Sequence, residues 1–320
     1  AYAIAGPVGV GKRALATVFA QALLCPTERP DRSVPCGVCR ACRNVVRGAH
    51  PDVQVFDLAG QAAEAEKRGT KNTTLTIDTV RRLRAGAALR PMEAARRIII
   101  VDDAETMQEP AQEALLKTLE EPPQAVTLLL LTDDAEALLP TIRSRCQTIE
   151  LRPVGVGAIT AGLEASGAAP DRAREIALLA QGRPGWAIHA ARDEKMLRAH
   201  AERVEHALAW VEGSPYDRLV RAVQRGDAFS KQRDLVFADV ETVLGIWRDL
   251  LLMSGGAPGA ITYQREQGRL ERLAAGWDLA GVCRAVTSVQ RCLADLEANV
   301  RPRLALEGMV AEWPNPTARN

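Results

Sequence analysis

This 320-residue sequence has no apolar run long enough to cross a bilayer: the longest, such as Val126 to Leu131, fall far short of the ~20 residues a spanning helix needs. It has no charged start followed by an apolar stretch, so no secretory signal is visible, and a cytoplasmic location is expected. Net charge is nearly absent too, at +1, which removes any global basic field for nucleic acid or acidic lipid; such a surface would have to be local. Lysine is scarce, six of the 41 basic residues, so arginine is the default cation. The four histidines (His50, His189, His200 and His206) share no spacing that points to a metal or a nucleophile relay, and they read as structural. The patterns G-x-S-x-G and H-E-x-x-H, and any basic–aromatic repeat, are missing. An initial methionine is missing as well: the chain opens directly on a strand, and a preceding segment is expected.

What is present is ordinary for a globular protein, 47% apolar and 25% charged, with length enough for two or three domains. In the first 150 residues short apolar runs alternate with helical patterns. "AYAIAG", "VQVFDL", "RRIIIVDDAE", "VTLLLLTDD" and "QTIEL" are strand-like. "RALATVFAQALL", "IDTVRRLRAGAAL" (Ile77, Val80, Leu83 and further on Leu89) and "AQEALLKTLEE" (Leu115, Leu116, Leu119) repeat apolar residues at helical spacing. The alternation predicts a parallel sheet covered on both faces, whose ligands sit at the carboxyl ends of the strands. After Pro153 the strand signals stop. Residues 153–196 read as a small helical lid and 197–320 as a third, all-helical domain, whose clearest helix is "SKQRDLVFADVETVLGIWRDLLLM". The fold class expected is therefore α/β plus all-α, with residues 1–152 forming the sheet domain.

Three motifs carry chemistry. "GPVGVGKR" lies between a strand and a helix, where Gly6, Gly9 and Gly11 free backbone amides to converge on phosphate and Lys12 adds a point charge. The following residue is Arg13, where magnesium needs a Ser or Thr hydroxyl, so the loop is either a degenerate nucleotide site or a vestige. "IIIVDDAE" delivers Asp102 and Asp103 to a strand end, where the first acid would hold magnesium and the second would polarise a water; the same acids could cap the next helix instead. Cys25, Cys36, Cys39 and Cys42 follow C-x10-C-x2-C-x2-C, a strong pattern for one tetrahedral structural Zn²⁺ in an inserted module over 25–42. The remaining cysteines, Cys146, Cys283 and Cys292, are scattered. "TIRSRC" adds Arg145, either a surface cation or an arginine finger.

With these residues laid out, the chain resembles the clamp-loader branch of the AAA+ ATPases. The likeness runs over most of the first 190 residues: the loop, the cysteines, "HPDV", "TIDTVRRLRAGAALRPMEAARRIIIVDDAETM", "EALLKTLEEPP", "LLLLTDDAEALLPTIRSRC" and "QGRPGWAIHAARD". The resemblance implies an AAA+ nucleotide-binding-like domain, a lid, and a collar domain that holds a five-membered ring together. It implies partners: tau/gamma motor subunits, the clamp-opening delta subunit, and through them the sliding clamp and primer-template DNA. A motor of this family carries Lys then Thr or Ser in the loop, Asp-Glu after the strand and an arginine in the lid. Here those places hold Lys12-Arg13, Asp102-Asp103 and Gly185, with Arg183 two residues away. The strand-end sensor corresponds to Thr132 or Asp133. Each departure weakens hydrolysis, while Arg145 is retained. The resemblance thus implies a ring member without independent ATPase activity that lends Arg145 to a neighbour; the alternative is an active tau/gamma-like motor. Binding of ATP and Mg²⁺ is left open, and the expected preceding segment would hold part of the adenine pocket.

Overall fold

The five strand-like segments pair in parallel within one sheet. In the computed structural model, which describes residues 1–27, 34–66 and 74–315, they are β1 (Tyr2–Ala5), β2 (Val53–Phe56), β3 (Arg97–Val101), β4 (Val126–Thr132) and β5 (Gln147–Glu150), in the order β2-β3-β4-β1-β5. Register sets Ala5 beside Thr132 and Glu150, and Val101 beside Phe56 and Leu130. The residues that follow β1, β2, β3 and β4 therefore leave from one edge: Gly6, Asp57, Asp102 and Asp133.

Alternation along the strands divides the core in two. Ile99, Val101, Leu128 and Leu130 face one side with Leu83 and Leu115, while Ile98, Ile100, Leu129 and Leu131 face the other with Ile4, Ala16 and Ala20. The covering helices are α1 (Lys12–Leu24), α2 (Arg40–Val46), α3 (Leu58–Glu66), α4 (Ile77–Ala87), α5 (Glu109–Glu120) and α6 (Pro140–Arg143). Val80, Leu83, Leu115 and Leu119 are buried as their spacing requires. Leu89 is not: α4 stops at Ala87 ahead of Pro91, and Leu89 is 59% exposed.

The chain divides into two compact units, residues 1–155 with 182–186, and residues 156–181 with 187–320. The segment expected as a lid is shared between them. Beyond β5 the described residues hold helices and no strand: α7 (Val156–Ala165), α8 (Pro170–Leu179), α9 (Pro184–Arg192), α10 (Glu194–Glu212), α11 (Pro215–Ala228), α12 (Arg233–Ser254), α13 (Gln267–Ala274), α14 (Leu279–Glu297) and α15 (Pro302–Ala311). The second unit is built around Trp247, fully buried, with the Trp277 and Trp313 rings 5.0 and 5.4 Å away. Arg218 is buried beside them and donates to the Pro314 and Val211 carbonyls; burial lowers its pKa to about 10, so it remains charged at neutral pH. No helix among the described residues is long and apolar enough to cross a membrane.

One buried acid fixes the approach to β3. The Asp52 carboxylate accepts the backbone N–H groups of Met92, Glu93 and Ala94 at 2.6, 2.8 and 2.9 Å. Burial works against its charge, yet these amides hold its pKa below the ordinary 3.8. Asp52→Ala leaves three amides without their acceptor and should cost about 2–3 kcal/mol at pH 7. A depressed carboxylate pKa stabilises above the unfolded value and loses that effect as pH falls through the folded one. The gap between variant and wild type should therefore close below pH 3.8, as denaturant titrations at several pH values would measure.

Candidate nucleotide loop and metal centre

The loop after β1 has the backbone of a phosphate cradle. Gly6 sits at φ 153°, donates its N–H to the Thr132 carbonyl, and has the Leu151 carbonyl oxygen 2.4 Å from where a Cβ would lie, so only glycine fits. Gly11 is the N-cap of α1, which begins at Lys12. The side chains are arranged otherwise than a phosphate would need. Lys12 Nζ donates to the Gly6 carbonyl at 2.6 Å, to the Pro7 carbonyl at 3.3 Å, and to the Asp133 carboxylate. Arg13 bridges two acids, with Nη1 3.1 Å from Asp57 Oδ2 and 3.3 Å from Asp102 Oδ2. Both cations of the loop are thus paired with carboxylates that leave the same sheet edge.

The acids have separate tasks. Burial raises the Asp102 pKa, Asp103 adds to the rise, and Arg13 opposes it. Asp103 adopts a left-handed backbone, φ 55°, and accepts the Leu58 N–H at 3.2 Å. It anchors the start of α3, which precedes it in the chain, and its side chain does not cap the helical turn that follows it, the alternative the sequence offered for these acids. Thr132 is fully buried and donates its hydroxyl to the Asp134 carbonyl at 2.6 Å, whereas the adjacent Asp133 meets Lys12. The Asp133 N–H is held by Glu105 at 3.1 Å. Gly185, at the start of α9, gives its N–H to the Gly9 carbonyl at 2.9 Å; a Cβ there would lie 2.9 Å from the same oxygen. The segment packs so tightly against the loop that no arginine fits at 185.

Arg145 lies away from these groups, after α6. Its Nη1 donates to the Thr141 carbonyl at 2.9 Å, and its Nη2 is 2.8 Å from Glu120 Oε1 at the end of α5. Its side chain is 36% exposed. Two features were missed in the sequence. Asp57 follows a weak strand signal and looks like an ordinary turn acid. The groove between α4 and α5, about 410 Å³, is lined by Arg81, Arg84 and Lys117 with Thr118 and Glu121; only the helical phase of these residues reveals that they converge.

The four cysteines come together. Cys25, at the end of α1, and Cys36, Cys39 and Cys42 around the start of α2 hold their sulfurs within 4.8 Å of one another, with Cys36 and Cys42 at 3.9 Å. A tetrahedral site with metal–sulfur bonds near 2.3 Å needs sulfurs about 3.8 Å apart, so the set can hold a metal ion. Cys39 N–H donates to the Cys36 sulfur and Cys42 N–H to the Cys39 sulfur, at 3.2 and 3.3 Å. The Cys39 and Val38 amides bring Cys36 down to about 6, while burial pushes Cys42 up to about 12. Gln21 ties α1 to the module through the Cys42 carbonyl at 3.0 Å. Residues 28–33 of the module lie outside the described residues.

The first unit is a five-stranded parallel sheet with a phosphate-type loop after its first strand, and the second unit is helical. A family model described as DNA polymerase III, delta subunit, matches residues 1–155. Over 146 residues the chain is 40% identical to the DNA polymerase III subunit delta' of Pseudomonas aeruginosa, which is 46% of this chain and 41% of that one. It is 35% identical over 145 residues to the DNA polymerase III subunit gamma/tau of Mycobacterium bovis, 45% of this chain and 23% of that one. The matched region is thus less than half the length of either relative. The delta' subunit of Bacillus subtilis is 24% identical over 97% of this chain and 89% of its own. Over its first unit the chain is thus similar to the delta' and gamma/tau subunits of DNA polymerase III.

The cysteine geometry sets a direct expectation. Titration with Co²⁺ should reach one equivalent per chain and develop the thiolate bands of a tetrahedral site. Cys42→Ser should abolish those bands, and an unaltered titration in the variant would contradict the assignment.

Proposed function

We propose that this chain is a non-hydrolysing delta-prime member of a clamp-loader ring, assembled with tau/gamma motors and a delta subunit. In that ring it completes a neighbour's ATP site through Arg145 while the ring loads the sliding clamp onto primer-template DNA. The observation that carries this reading is the internal pairing of both loop cations, Lys12 with Asp133 and Arg13 with Asp57 and Asp102. Magnesium needs oxygen ligands at about 2.0–2.1 Å in near-octahedral array. Position 13 offers a guanidinium instead of a hydroxyl, and that guanidinium already lies against the acid that would ligate the metal. Asp103, tied to Leu58, is turned to a structural task rather than to a water. In the tau/gamma-like alternative, an active motor would need Arg13 withdrawn, Lys12 released and a longer acid at 103.

Arg145 fits the complementary role. It is exposed, its fork is steadied by Thr141 and Ser144, and its partner Glu120 is itself half-exposed, so a triphosphate carrying more charge can take it over. The four-cysteine cluster would hold Zn²⁺ with no open position, a structural metal joining the end of α1 to α2. Within the second unit, residues 156–181 and 187–196 would serve as the lid and 197–320 as the collar. The basic groove between α4 and α5 is the surface of the first unit best suited to the DNA backbone.

The test is a reconstituted ring carrying Arg145→Ala. Turnover at the facing site should fall about a thousandfold, since a transferred guanidinium is worth about 10³–10⁵ in such reactions. Ring assembly by size exclusion should be unaffected, and Arg145→Lys should restore little because the planar fork is lost. Full ATPase in the alanine ring would reject the finger role.

A further inference from the structure

A cavity of about 640 Å³ in the second unit lies between α10 and α11 with α12 beneath. Three guanidiniums line it, from Arg203, Arg221 and Arg225, with His206 beside them. At its floor is Asp239, whose side chain is 9% exposed; it is approached by Arg225 Nε at 2.9 Å and Arg203 Nε at 3.8 Å. Both arginines approach Asp239 through Nε. Arg221 gives one Nη1 hydrogen to the His206 carbonyl at 3.3 Å. The other lining carboxylate, Asp217, is engaged in the capping box of α11 with Ser214. Cationic groups therefore exceed the carboxylates that could neutralise them, around a space too large for a simple inorganic ion.

The geometry along α11 narrows the ligand. Arg221 and Arg225 are one helical turn apart on α11, and Tyr216, 74% exposed and in the first turn of the same helix, lines the opposite flank of the cavity. From Tyr216 to Arg225 the helix rises about 14 Å. An exposed ring beside a cluster of guanidiniums is a combination that holds single strands: bases stack on the aromatic face while arginines contact the phosphates. An acidic peptide would use the arginines but leave the ring without a function. We propose that the α10–α11 groove binds a short stretch of single-stranded nucleic acid, with Arg203, Arg221 and Arg225 on successive phosphates and Tyr216 beneath a base. The proposal does not depend on the arginine-finger reading, since neither Arg145 nor the phosphate loop takes part.

The full chain is titrated against a fluorescein-labelled ten-nucleotide oligothymidylate, read by anisotropy at several salt concentrations. Tyr216→Ala should weaken binding at least about fivefold, the lower end for loss of one stacking contact. Arg221→Gln should weaken it and lower the slope of log affinity against log salt by about 0.7, one phosphate contact on a single strand. Thermal unfolding should show both variants folded. Bromouracil-substituted oligonucleotide should crosslink within residues 203–225. Unchanged affinity in both folded variants, crosslinks confined to other segments, or equal binding of polyglutamate of the same charge would overturn the assignment.

Discussion

A guanidinium stands between two carboxylates at the edge of the sheet, and most of the first unit's character follows from it. Arg13 lies against Asp57 and Asp102, and beside it Lys12 lies against Asp133. The parallel sheet makes this possible, because four strands deliver loop and acids to one edge. The backbone of a phosphate loop is kept, down to the positive φ of its glycines, while its charges are satisfied from within. With Arg13 60% exposed, its two pairs add little to stability; solvent screens them. Their effect is on what else can enter: each anion must displace a carboxylate, and each metal must displace a cation.

The same division between preserved scaffold and altered chemistry recurs nearby. Gly185 packs on the Gly9 carbonyl, so the segment that would carry a lid arginine in a motor braces the loop. Asp103 holds the start of α3. Asp52 organises the turn into β3 with three amides. The charged groups at this edge are held by contacts within the first unit, which is what the proposed role as a fixed support rests on.

Much of this was legible in the sequence, for physical reasons that also mark the limits. The β3 and β4 strands are buried on both faces and so read as unbroken apolar runs. The cysteine spacing is so constraining that the cluster could be expected outright. Helices α2 and α3 were not foreseen. α2 is one of the shortest helices and its N-cap is the Cys39 thiol accepting from Cys42, a cap that periodicity cannot show. α3 depends on Asp103, 45 residues away from Leu58. Whether Thr132 or Asp133 faces the loop depended on one bond, the hydroxyl of Thr132 to the Asp134 carbonyl. Arg13 was visible as a departure; its partner Asp57 was not, since nothing local distinguishes it from any acid after a strand.

The central claim is that Arg13 keeps magnesium and its nucleotide from this loop, and equilibrium dialysis of Mg-ATP against the wild-type chain and Arg13→Thr tests it most directly. The account predicts no saturable Mg-ATP binding by the wild type at millimolar nucleotide, and measurable, magnesium-dependent binding once the guanidinium is replaced by a hydroxyl. Tight magnesium-dependent binding by the wild type, undiminished relative to the threonine variant, would contradict it.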